Sequence, residues 1–98
     1  MKAKNSNLKS IDIFGHTLNI IYNNNIESSG YFDNTTGTIF IRTIDKEGNK
    51  FCSDQILNTL IHESIHCILI KLGYLDLYGD EKLVHGLSEG VCQLIKQL

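Results

Sequence analysis

Between Gln55 and Leu72 the chain runs for eighteen residues without a proline or glycine, and apolar side chains cover most of the circumference a helix would have there. Leu57, Ile61, Ile65, Ile68 and Leu72 fall on one face, and Leu60, Cys67 and Leu69 widen it. Ser53 or Asp54 is placed to cap its start, and Gly73 to end it as the residue just past the C-cap. A helix this apolar is stable only when buried on most sides, so the rest of the chain must wrap it.

The remaining segments supply the wrapping. Ile11–Phe14 alternates and stops at Gly15, and Thr17–Tyr22 resumes before the turn-forming Asn23, Asn24 and Asn25. Tyr31–Phe32 and Thr38–Arg42 are joined by the short polar segment Asp33–Gly37, a hairpin signature. Asp45–Lys50 reads as a charged loop. After Gly73 a second loop leads to a helix capped by Asp80. In that helix Leu83/Val84, Leu87, Val91, Leu94/Ile95 and Leu98 recur at helical spacing, and this seam is expected to pack on the first helix, antiparallel to it. The fold class expected is α+β: a small three- to four-stranded, mostly antiparallel sheet followed by two packed helices. The 98 residues make one domain, with the first ten a candidate disordered segment.

Charge and composition exclude several functions. Nine basic residues against eleven acidic ones leave a formal charge of -2, and Arg42 is the lone arginine. No basic stripe exists to cover phosphates, so nucleic acid is not an expected partner. The longest apolar run, Cys67–Ile70, is far short of a membrane span, and no apolar stretch follows the lysines of the N-terminus. Cys52, Cys67 and Cys92 are odd in number and widely spaced, which fits reduced thiols rather than a disulfide framework. A cytoplasmic location is the expectation that follows.

The chemistry sits inside the first helix, at His62-Glu63-Ser64-Ile65-His66. Residues i and i+4 lie one turn apart on the same face, their Cβ atoms about 6 Å apart, so two imidazoles can converge on one Zn2+. Glu63 is rotated around the helix, out of comfortable ligand reach but able to reach a water on the metal's open side as a general base. Chance produces H-E-x-x-H in roughly one chain in a hundred of this length and composition. Burying two histidines and a glutamate without partners costs several kcal/mol, roughly, and a metal satisfies all three.

Zinc needs a third protein ligand. The second helix offers Glu81, His85 and Glu89, and its antiparallel course brings the earliest turns closest to the metal, favouring Glu81 and His85 over Glu89 without choosing between them. Together these residues resemble the zincin metallopeptidases of the gluzincin branch, in which a glutamate on a later helix completes the site. Glu81-Lys82-Leu83-Val84 fits that motif. The strand-rich front, with Gly30-Tyr31-Phe32-Asp33 and Thr38-Ile39-Phe40-Ile41, is similar to small phage and prophage metallopeptidase-like proteins and to the catalytic cores of the ImmA/IrrE-like and SprT-like families. The resemblance covers about Tyr31 to Leu98. It implies His62, His66 and Glu81 as zinc ligands and Glu63 as base and proton shuttle. Some gluzincins carry an acidic residue where His85 stands. Here His85 is left either to orient a ligand through a hydrogen bond or to replace Glu81 as the ligand.

The function expected is zinc-dependent hydrolysis of a protein or peptide, with an edge strand, Thr38–Arg42 or its hairpin partner, holding the extended substrate. Tyr31, Tyr74, Tyr78 and His16 are candidates for stabilising an oxyanion, and spacing selects none of them. The alternative is a zinc-stabilised interaction module on the same scaffold that turns nothing over. An intact Glu63 argues for the enzyme, since a purely structural zinc site has no use for a base.

Overall fold

Ile11 and Ile13 turn toward the interior from the first strand, β1 (Ser10–Ile13), which doubles back into β2 (His16–Tyr22) through Phe14 and Gly15. Both turn residues have positive φ, 52° and 77°, the backbone of a two-residue hairpin turn whose twist matches that of the strands. Glycine adopts this freely; Phe14 does so on the surface, largely exposed. These assignments come from a computed structural model describing residues 8–98. The lysine-bearing N-terminal segment weighed above as a targeting signal lies outside the described residues, as does most of the candidate disordered segment. Leu8 and Lys9 are already engaged, their carbonyls accepting from the Tyr22 hydroxyl and the Ile20 amide at 2.9 Å each.

Two further strands, β3 (Gly30–Asp33) and β4 (Thr38–Ile41), form the expected hairpin. Asp33 Oδ1 accepts from the Thr35 amide at 2.9 Å and Gly37 takes a φ of 64°, so the link is closed by local turn chemistry. The hairpin does not extend the sheet in chain order. β4 inserts beside β2, parallel to it, with Ile20 opposite Ile39 and Tyr22 opposite Ile41, giving the order β1-β2-β4-β3. The sheet is therefore mixed: two antiparallel pairings flank one parallel pairing at its centre. Parallel neighbours need a long crossover, and residues 23–37 supply it by carrying β3 out to the edge first.

Helix α1 (Ser53–Lys71) lies across one face of the sheet, and Leu18, Ile20, Ile39 and Ile41 pack there against Ile56, Leu60 and Cys67. Cys52, rather than Ser53 or Asp54, is the N-cap, and its amide donates to Gln55 Oε1 at 2.8 Å. Gly73 ends the helix as expected. With φ at 85° it lets the Gly73 and Tyr74 amides reach the carbonyls of Ile70 and Leu69. Arg42, buried, donates to the carbonyls of Ile26, Ile44 and Asp45 and ties together the segments that follow β2 and β4 at the same end of the sheet.

Helix α2 (Glu81–Lys96) begins at Asp80, whose Oδ1 accepts from the Leu83 amide at 3.1 Å. It runs antiparallel to α1, as Lys96 near its end pairs with Asp54 at the start of α1. The seam it buries differs from the one its apolar periodicity suggests. Val84, Ser88 and Cys92 are buried, whereas Leu87, Val91, Leu94 and Leu98 are exposed. Small side chains at Ser88 and Cys92 let the helices approach closely, and this rotates the broader apolar stripe out of the contact. No helix among the described residues is long and apolar enough to cross a membrane.

Candidate metal centre

The register of α1 is set by what it buries. With Ile56, Leu60 and Cys67 against the sheet, His62, Glu63 and His66 are carried onto the side that faces β3 and the start of α2. They line an open cleft of about 840 Å³ walled by the edge strand, α1 and the Leu75–Gly79 loop. The two imidazole rings stand 5.1 Å apart, edge to face.

Glu81, the first residue of α2, completes the group. Its Oε1 lies 3.0 Å from His62 Nε2 and 3.1 Å from His66 Nε2. Among the described residues, His62, His66 and Glu81 form a group whose ligand atoms all fall within 4.8 Å of one another. Tetrahedral ligands at zinc distances sit about 3.3 Å apart, close to the two separations found.

The hydrogen bonding around His66 tests whether these residues suit a cation. His66 Nδ1 makes a short contact with the carbonyl of Tyr78, which can only accept, so Nδ1 carries a proton. In the neutral ring Nε2 is then a lone pair, and it faces a carboxylate oxygen that is also an acceptor. Two acceptors at 3.1 Å need a proton or a cation between them. A backbone carbonyl on Nδ1 is also the arrangement that presents Nε2 to a metal. The donor set suits Zn2+.

Glu63 occupies a different environment. Only 7% exposed, it lies beneath Gly30 of the edge strand. A Cβ added at Gly30 would overlap Thr59 Cγ2 and press on the Glu63 side chain, with Cγ 3.2 Å and Oε2 3.3 Å away. The glycine is what allows β3 to lie so close over the carboxyl group. Burial pushes the Glu63 carboxyl up to about 7. The neighbouring His66 imidazole and a hydrogen bond from the Phe32 amide oppose the shift, and the Glu81 carboxylate adds to it.

The other candidates separate. His85 lines the cleft one turn beyond Glu81, with its ring 6.3 Å from that of His62. Its Nε2 pairs with Glu89 at 3.7 Å, and it stands outside the group of three. Glu89 instead accepts from Asn58 Nδ2 at 3.2 Å and helps hold the helices together. Of the four residues considered for an oxyanion, Tyr31 and Tyr78 line the cleft, and Tyr74 and His16 do not. Thr38–Ile41 is an interior strand, so the edge beside the cleft belongs to its hairpin partner, Gly30–Asp33. Sequence reasoning missed Gly30 and the Tyr78 carbonyl. A glycine opening a strand is the signal that could have marked Gly30 as a point of close approach, whereas the carbonyl at Tyr78 belongs to the main chain and leaves no signal in residue type. Searches with the chain against protein-family models, curated proteins and solved structures find no match.

Proposed function

We propose that the cleft is a zinc-dependent hydrolytic site acting on peptide bonds of a protein or peptide. The observation that carries this reading is the meeting of His62 Nε2 and His66 Nε2 on Glu81 Oε1, at 3.0 and 3.1 Å, with the buried Glu63 carboxyl beside them. These three atoms would hold the ion, and zinc so bound acidifies water and polarises a carbonyl. Glu63 takes a proton from the attacking water as the new C–O bond forms, and delivers it to the amide nitrogen as the C–N bond breaks. A carboxyl group that titrates near neutrality suits both halves of that transfer. The free edge of β3 offers backbone amides and carbonyls to an extended chain laid along the cleft. In the alternative, a zinc-held binding module, Glu63 has no task and its burial is pure cost.

The test has two steps. Metal analysis of untagged protein should give about one zinc per chain, lost in His66→Ala. A mixed peptide pool followed by mass spectrometry should then show cleavage by the zinc-loaded protein and none by Glu63→Gln. Zinc retained with no cleavage of any peptide leaves the binding module. Absence of zinc from a folded protein that refuses added metal ends both readings.

A further inference from the structure

We infer that the cleft selects its substrate on one side of the metal only, by seating a large apolar side chain against Ile70 and Leu75. Resting on the zinc reading, this names the substrate class: a peptide with leucine, methionine or phenylalanine next to the bond that is cut. The cleft runs along α1, where Asn58, Thr59, His62, Glu63, His66 and Ile70 all line it, a stretch of about 18 Å at the helical rise. Roughly five residues of extended chain fit that length. The metal donors and Glu63 stand in its middle, so a peptide can continue past them in both directions.

The two directions differ in chemistry. Toward the start of α1 the lining is polar, and its polar groups are already engaged within the protein. The Thr59 hydroxyl donates to the Gln55 carbonyl at 3.1 Å, and Asn58 donates to Glu89 at 3.2 Å while accepting from Cys92. The Ser28 hydroxyl, at the same end, donates to the Gly30 carbonyl. Groups bonded in this way offer a substrate side chain little gain over water. Toward the end of α1 the lining turns apolar. Ile70 lies one turn past His66 on the same face, about 6 Å further along the axis. Leu75, 66% exposed, lines the cleft from the loop between the helices. The contact of the Tyr78 carbonyl with His66 ties that loop to the metal, so Leu75 sits beside the reacting centre and not on a remote surface. Successive residues of an extended peptide advance about 3.3 Å, which brings Ile70 within reach of the side chain next to the scissile bond.

Calorimetric titration of zinc-loaded protein with the N-acetyl hydroxamates of leucine, phenylalanine and glycine tests the subsite without turnover. A hydroxamate grips the metal and can lie either way along the cleft, so its side chain can find the apolar side. The leucine and phenylalanine compounds should bind about tenfold tighter than the glycine compound, the lower end of what burying such a side chain contributes. Leu75→Asp should bring this ratio close to one, and Leu75→Met should keep it. In the peptide pool, leucine, methionine and phenylalanine should be enriched at one of the two positions flanking the cut and not at the other. Equal binding of the three hydroxamates would overturn the subsite while leaving the metal in place. So would an unchanged ratio in Leu75→Asp, or cuts flanked by no apolar preference. A protein that binds none of the three presents no accessible zinc, and the hydrolytic reading then falls together with the subsite.

Discussion

Helix α1 is gripped on two sides, by the sheet through Ile56, Leu60 and Cys67 and by α2 through residues such as Asn58, whereas α2 buries only Val84, Ser88 and Cys92. The candidate centre straddles this difference. Its two imidazoles and its buried carboxyl belong to the firmly held helix, and the third donor, Glu81, sits exposed at the tip of the lightly held one. Such a division makes one half of the site a property of the core and the other a property of how α2 docks.

Substitutions on the two helices should therefore separate fold from metal. The largest effect is expected at His66, where His66→Ala should cost zinc affinity by more than about a thousandfold, read by competition with a chromophoric chelator. Glu81→Ala, on the looser helix, should cost about a hundredfold with the fold intact. Equal losses at the two positions would mean that α2 holds its donor as firmly as α1 does. Next comes stability: Leu60→Ala should destabilise by about 2–5 kcal/mol, and Leu87→Ala on the exposed side of α2 by less than about 0.5 kcal/mol, both from urea unfolding.

The buried carboxyl supplies a pH test on metal-free protein. Glu63 is raised in the folded state from an ordinary carboxyl value to about 7, so the native state holds its proton more tightly than the unfolded chain. Its contribution is full below the unfolded value, falls as pH rises through about 7, and is flat above. Glu63→Gln should then be more stable than wild type by roughly 2–3 kcal/mol at pH 8, the difference closing toward pH 5. A pH-independent difference would mean the carboxyl is not buried as a charge. The smallest effect is expected at His85: His85→Ala should change zinc affinity by no more than about threefold. A larger loss there than at Glu81 would transfer the third-ligand role to His85.

How much of this could be read in the sequence differs element by element. The cap at Asp80, the stop at Gly73, the β3–β4 hairpin and the H-E-x-x-H helix are local events, encoded by a few neighbouring residues, and they read correctly. The insertion of β4 between β2 and β3 is not local. Alternation identifies strands, but their order depends on which apolar faces find each other: nothing local to Thr38–Ile41 distinguishes an edge from a centre, and it is the complete burial of Ile39 and Ile41 that marks it as a centre. The α2 seam failed for a related reason. Periodicity weights residues by hydrophobicity, whereas the contact selected small ones, Ser88 and Cys92, that let two helices come close. The trio itself needed one long-range fact, the antiparallel return of α2, to bring Glu81 to the histidines.

The contact between His66 and Tyr78 has a consequence that residue identity does not capture. The group that fixes the histidine's tautomer is a main-chain carbonyl, which every amino acid possesses, so no substitution at position 78 deletes it. What places that oxygen is the count of residues between the helix stop at Gly73 and the cap at Asp80. Position 78 can drift in sequence while the loop cannot drift in length: a single insertion or deletion there would do to the site what no point change could.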